Sequence, residues 1–339
     1  MRLAIMGAGS LGIITGAYIK KGGLDIDFID VNVENVKALN EKGATVTGTV
    51  DFNVPANALT PDEMEGIYDV VFYVVKQTYN EVALKQLLPH LGPDSAVVTL
   101  QNGVPEPAIA EIVGAERVVG CPVGWGATWL GPGVSELTSS PDKMTFDLGE
   151  YTGGVTERLE KIKEILELMC PTIIEENLMG IRWTKVLVNS TFSGMSAALG
   201  CTFGDVLDSK EALDCVKHIA NECINVGRAA GIKMEPMQGY DLGTMLGFKT
   251  KEEMDSKDPI YNAMWGPHRK LKASMLQDLE KGLKTEIDAI NGIVCDFGKK
   301  HGIPTPVNSQ VVEIVKGIEN VKYKPEFNNL ELFQLPEVK

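Results

Sequence analysis

A chain of 339 residues, 44% apolar and 23% charged, is long enough for two ordinary cores and has the composition of a globular protein. Its net charge of −14 excludes a general affinity for nucleic acid or anionic lipid, because both start from clustered Lys and Arg. No apolar stretch approaches the ~20 residues that span a bilayer, and the first residues enter a strand pattern without a charged leader, so the sequence reads as cytoplasmic with no membrane attachment. The same negative field repels anionic ligands, so any such ligand needs a helix N-terminus or local cations to receive it. The six cysteines (Cys121, Cys170, Cys201, Cys215, Cys223 and Cys295) lack CxxC spacing and read as reduced, buried thiols; no metal site is expected.

Residues 2 to 6 form an apolar run that passes directly into Gly7-Ala8-Gly9-Ser10-Leu11-Gly12 and then into a helical pattern reaching Lys21. This is a strand, a glycine turn and a helix. Gly7 permits the tight turn, Gly9 lets the backbone approach a pyrophosphate, and Gly12 lets the helix lie close to the strand, with the helix N-terminus facing the phosphates. A second strand over Leu24 to Ile29 ends in Asp30, about twenty residues beyond the glycines, where a carboxylate can accept hydrogen bonds from a ribose 2′-hydroxyl. A 2′-phosphate would meet Asp30 with like charge. NAD(H) is therefore favoured, with NADP(H) left open because Lys37 lies in the next helix. Capping of that helix is the competing role for Asp30.

Further strands are predicted at Asp69 to Val75 and Ala96 to Leu100, and their carboxyl ends carry Lys76 and Gln101-Asn102-Gly103. Ligands of doubly wound sheets bind outside such ends, which makes Lys76 and Asn102 candidate cofactor contacts. Residues 118 to 150 read as glycine-rich β structure closing the domain, with Trp125 and Trp129 as core residues. From about Val155 the pattern turns helical, and the domains are placed at 1–172 and 173–339. In the second, Lys185, Asn189 and Ser193 fall at i, i+4 and i+8 on an otherwise apolar helix, a polar stripe that calls for a function. The long stretch from Pro236 to Leu271 reads as a lid or specificity element. The apolar helices of this half also offer a surface for a homodimer.

The glycine turn, Lys76, Gln101-Asn102-Gly103, the Lys185 helix and Ser274-Met275-Leu276-Gln277-Asp278, followed by Lys284-Thr285-Glu286-Ile287-Asp288-Ala289-Ile290-Asn291-Gly292, together resemble the ketopantoate (2-dehydropantoate 2-) reductase family, in order, from residue 1 to about 315. The resemblance implies an α/β chain: an N-terminal Rossmann doubly wound sheet followed by an all-α, 6-phosphogluconate dehydrogenase-like domain. It also implies NAD(P)H-dependent reduction of a small 2-oxo acid, 2-dehydropantoate to pantoate. Position by position, it makes Lys185 and Glu286 catalytic and Asn189 and Ser274 substrate-binding, and it has Lys76 and Asn102 contact the cofactor and orient the reacting groups, Asn102 on the substrate side as well. Ser193, also assigned to substrate, stands where the family commonly has an asparagine, and Asp30 where NADPH-using relatives carry a basic residue. These departures keep a second reading open, an NAD-dependent D-2-hydroxyacid dehydrogenase for branched or aromatic 2-oxo acids. A non-catalytic nucleotide sensor is a third. Ser274 and Glu286 are twelve residues apart, ~18 Å along one straight helix, so the helix must begin after Ser274 or bend if both are to serve one small substrate.

Overall fold

The computed structural model describes residues 1–237 and 239–338; Gln238, inside the 236–271 stretch, and Lys339 lie outside the described residues. The chain forms two compact units, Met1–Leu178 and Met179–Lys339.

In the first unit the elements run β1 (Leu3–Met6), α1 (Ser10–Lys21), β2 (Ile26–Ile29), α2 (Val33–Lys42), β3 (Ala44–Gly48), β4 (Phe52–Val54), β5 (Asn57–Leu59), β6 (Tyr68–Tyr73), α3 (Asn80–Leu87), β7 (Leu91–Thr99), α4 (Glu106–Val113), β8 (Val118–Gly120), β9 (Ala127–Gly131), β10 (Val134–Leu137), β11 (Phe146–Glu150), α5 (Glu157–Leu166) and β12 (Thr172–Ile174). The main sheet has eight strands in the order β12-β11-β8-β7-β6-β1-β2-β5, and β1 pairs in parallel with both β2 and β6. Both faces of its centre are buried: Leu3 and Ile5 enter one apolar core with Val70 and Phe72, while Ala4 and Met6 enter the other with Val71 and Tyr73. That is why β1 and β6 read as continuous apolar runs rather than alternating ones. The strand order reverses at β1, so the crevice at its carboxyl end is where a doubly wound sheet takes its ligand. This is a Rossmann sheet.

A second sheet, β4-β3-β10-β9, has no counterpart in the sequence reading. The hairpin β9–β10 does not join the main sheet; β10 pairs in parallel with β3, and α1 packs against both strands. Trp125 is buried as expected, edge-on to Phe146. Trp129, expected in the core, is 38% exposed on the edge strand β9.

The second unit is built of α6 (Leu178–Val188), a π-helical turn over Asn189–Ser193, α7 (Gly194–Leu199), α8 (Phe203–Asp208), α9 (Lys210–Ala229), α10 (Leu242–Leu246), α11 (Lys251–Asp255), α12 (Asp258–Trp265), α13 (Ser274–Glu280), a second π turn over Asp288–Gly292, α14 (Ile293–His301) and α15 (Pro306–Glu319). Part of the stretch read as a lid or specificity element, the helix α12, packs onto this unit. Tyr261 and Trp265 of α12 are buried and lie against Phe192, Trp265 stacked at 4.7 Å. The fully buried Lys217 of α9 ties Asp258 at the start of α12 to Asp214, 2.8 Å away.

A chain of buried polar groups crosses the unit. The Glu222 carboxylate accepts the N–H groups of Val307 (2.8 Å) and Asn308 (2.9 Å) at the start of α15, and the Asn308 side-chain amide (2.7 Å). Asn308 in turn accepts from Asn291 at 3.0 Å, and Asn291 donates to the Ser190 carbonyl at 2.9 Å. Burial nevertheless holds the Glu222 carboxyl above its ordinary 4.5, outweighing the hydrogen bonds that lower it. Folding then takes up a proton at Glu222, and the stability this contributes is present at acid pH and lost as pH rises through the raised pKa. Measured against Glu222→Gln, which cannot titrate, the wild-type melting temperature is expected to fall as pH rises from 4.5 toward neutrality. A difference that stays constant with pH in scanning calorimetry would contradict a raised, buried carboxyl.

Candidate functional site

In the first unit the glycine turn is built as its spacing requires. Gly7 has φ +97°, and a Cβ there would lie 2.9 Å from the Val74 carbonyl carbon; at Gly12 a Cβ would fall 2.1 Å from the Gly7 carbonyl oxygen. Neither position admits a side chain. A Cβ at Gly9 would meet no protein atom within 4 Å, so the exposed backbone at the start of α1 is open to an approaching group. Ala8 is buried behind it, and Ser10, Leu11 and Gly12 begin α1, whose leading N–H groups suit a phosphate.

Asp30 follows β2, half-buried, with Oδ1 accepting the Asn32 N–H at 2.8 Å and Oδ2 the Asn35 side-chain amide at 3.3 Å. Burial raises its pKa, opposed by these bonds and by the Ala8 N–H. It is not the cap of α2: Asn32 takes that place, accepting the N–H groups of Glu34 and Asn35. The loops after β6 and β7 are joined, because Gln77 donates to the Asn102 carbonyl at 2.5 Å, while buried Gln101 donates to the Val75 carbonyl and to Asn80, the latter at 2.7 Å. Lys76 and Asn102 are thus half-buried on two cross-linked loops at the carboxyl ends of adjacent strands. These features fit a dinucleotide: an open backbone at a helix N-terminus, and a carboxylate beside the same turn.

In the second unit the polar stripe is visible as accessibility. From 180 to 194 every residue is buried except Lys185, Val188, Asn189 and Ser193. The stripe is not a plain α-helical one, however, since the turn carrying Asn189 and Ser193 is π-helical and sets their separation differently from the i, i+4 expectation. Ser190 and Thr191 fold back on the Leu187 and Val188 carbonyls, as hydroxyls do where a helix widens.

Ser274 is exposed at the first position of α13. That helix ends at Glu280, and Gly282 turns the chain with φ +68°, so Ser274 and Glu286 belong to different helices and the single-helix separation does not apply. Glu286 is half-buried, and its carbonyl accepts the Ile290 N–H at 3.1 Å as the next helix opens. Its neighbour Thr285 is fixed by Glu319 of α15, through both N–H (2.7 Å) and hydroxyl (2.6 Å). The bond from Asn291 to the Ser190 carbonyl joins the two π turns, and so the helix of Lys185 and Asn189 to the helix that Glu286 begins.

Sequence reasoning passed over buried Asn35 and the linking role of Asn291. Only Asn291 stood within a recognised motif. Burial pushes the Cys170, Cys201 and Cys215 thiols up to about 12, which leaves them protonated near neutrality. Among the described residues no group of three or more His, Cys, Asp or Glu is placed to hold a metal, and no helix is long and apolar enough to cross a membrane.

Residues 3–151 match the family described as ketopantoate reductase PanE/ApbA, and residues 177–319 match its C-terminal counterpart. The 2-dehydropantoate 2-reductase of Pyrococcus abyssi is 28% identical over 329 residues, spanning 96% of this chain and 100% of that protein. A crystal structure of 2-dehydropantoate 2-reductase from Geobacter metallireducens is similar at a TM-score of 0.80 and 26% identity, covering 93% of this chain and 99% of the other. The ternary structure of D-mandelate dehydrogenase with NADH and anilino(oxo)acetate is similar at 0.81 and 25%, covering 95% and 99%. With both halves matched in order, the glycine turn in one unit and the Lys185 stripe in the other, the chain belongs to the ketopantoate reductase family.

Proposed function

We propose that this protein reduces a small 2-oxo acid to the 2-hydroxy acid with a reduced nicotinamide dinucleotide, and that 2-dehydropantoate is its substrate. The observation that carries the reading is the stripe of Lys185, Asn189 and Ser193, half-accessible together with Val188 where every other residue from 180 to 194 is buried.

The bound cofactor supplies the hydride that reaches the substrate's 2-carbon. The protein's part is to hold and to protonate. The start of α1, open at Gly9, receives the pyrophosphate, and Asp30 accepts from the ribose hydroxyls. As the carbonyl oxygen gains charge, the Lys185 ammonium stabilises it and donates the proton that completes the hydroxyl. Asn189 and Ser193 hydrogen-bond the substrate on the same face, with Ser274 and Asn102 as further contacts. Lys76 steadies the cofactor end. Glu286 orients the ammonium or accepts from a substrate hydroxyl.

One feature favours a second reading. Asp30 selects against a 2′-phosphate by like charge, and the similar D-mandelate dehydrogenase structure was determined with NADH. On that reading the enzyme is a D-2-hydroxyacid dehydrogenase of the same scaffold, with Ser193 leaving more room than an asparagine for a branched or aromatic side chain.

Steady-state rates with 2-dehydropantoate, 2-oxoisovalerate and phenylpyruvate separate the two. The highest kcat/KM is expected for 2-dehydropantoate; a value well below the others selects the second reading, and absence of turnover with all three removes both. Lys185→Ala is expected to lower kcat by ~10²–10⁴ with a smaller change in cofactor KM, and unchanged turnover would overturn the assigned proton donor. Asp30→Ser should raise the kcat/KM ratio of NADPH to NADH. A ratio that stays put would show that Asp30 does not read the ribose.

A further inference from the structure

We propose that Asn35 is a positioning residue for cofactor choice: it locks the Asp30 carboxylate against the glycine turn, with the β9–β10 hairpin as its backing. The inference rests on the reading of Asp30 given above and explains how that carboxylate keeps one orientation.

Asn35 lies in the first turn of α2 and is 2% exposed. Its amide joins three segments distant in sequence. Nδ2 donates to the Ala8 carbonyl at 2.8 Å and to Asp30 Oδ2 at 3.3 Å, while Oδ1 accepts the Gly133 N–H at 2.8 Å. Both amide protons and the carbonyl are therefore used, which is close to what one asparagine can satisfy at a buried position. A second tie runs beside it: the buried Ser135 hydroxyl lies 2.9 Å from the Ser10 carbonyl and 3.2 Å from that of Thr128. The hairpin thus holds the glycine turn from behind at Ser10, and at Ala8 through Asn35. Its tip is tied from the other side as well, since the Gly133 carbonyl accepts the Thr45 N–H at 2.8 Å.

The consequence for recognition is geometric. A carboxylate that distinguishes a hydroxyl from a phosphate does so only while its oxygens stay where the hydroxyl arrives. Asn32 holds one oxygen and Asn35 the other, with the Ala8 and Val31 N–H groups as further donors, and together they fix the plane of the group. Without Asn35 one oxygen loses its side-chain donor, and the carboxylate is held less firmly. Its bonds to a ribose weaken, and its repulsion of a 2′-phosphate weakens as well, because a mobile charge can swing aside. NADH use should fall while NADPH use falls less or rises, so the ratio moves. A purely structural loss would lower both cofactors together.

The test compares wild type, Asn35→Ala, Asn35→Ser and Asp30→Ser, each checked for folding by melting temperature and assayed with NADH and with NADPH at saturating 2-oxo acid. Asn35→Ala is expected to raise KM for NADH on the order of tenfold, as loss of one hydrogen bond to a charged group does. Little change in kcat is expected, with a fall in the NADH to NADPH preference. Asn35→Ser keeps a short donor and should fall between; it also decides the matter if the alanine variant does not fold. Folded Asn35 variants that keep the wild-type preference, while Asp30→Ser shifts it, overturn the role of Asn35 alone. If Asp30→Ser leaves the preference unmoved, the ribose reading fails and the inference falls with it.

Discussion

A π turn widens the helix, so its carbonyls do not meet their ordinary α-helical donors, and the second unit is organised around one such carbonyl. Asn291 supplies an N–H to the Ser190 oxygen, Asn308 accepts the other bond from Asn291, and Glu222 anchors Asn308 where α15 begins. The sequence of donors and acceptors ends on a carboxylate at a helix N-terminus, where backbone dipoles oppose the cost of burying it. Asn291 itself sits in the second π turn, so one amide holds two widened helices together. Gly194 makes the contact feasible, since a Cβ there would stand 2.7 Å from Asn291 Oδ1. Buried polar chains of this kind specify one arrangement strongly because a half-satisfied alternative is costly.

Much of the candidate site could be read from the sequence because it rests on residues whose chemistry admits few roles. Gly7 and Gly12 cannot be exchanged without collision, so their spacing alone describes the turn. Lys185, Asn189 and Ser193 stood out against an apolar helix, and the same contrast reappears as accessibility. The π turn beneath them was not legible, because a single inserted step in helical hydrogen bonding leaves the apolar periodicity almost unchanged. Asn35 was hidden for another reason: its partners Ala8, Asp30 and Gly133 are distant in sequence, and a lone asparagine near a helix start looks like an ordinary capping residue. The second sheet escaped because its two hairpins, β3–β4 and β9–β10, are short and join each other only across the fold, through β3 and β10.

Within the stretch from 236 to 271, one helix is tied to the helical core: Trp265 stacks on Phe192 inside the π turn with Tyr261 tilted beside it, and Lys217 is buried against Asp258. That helix therefore supports the turn that carries Asn189 and Ser193. Membership of the family settles the scaffold and the class of chemistry, while the two departures, Ser193 and Asp30, are the residues on which the proposed choice of acid and cofactor turns.

The pairing of β3 with β10 has a bearing on how this fold forms. The glycine turn occupies the first dozen residues, yet the strand that buttresses it arrives only at Val134–Leu137. Closing so large a loop carries an entropic penalty that local contacts cannot offset early, and high contact order slows folding. A nascent chain would therefore carry its first strand, turn and helix for most of the synthesis of the domain before the turn acquires its support. The amino-terminal segment with the plainest sequence signature is, on this account, among the last to become rigid.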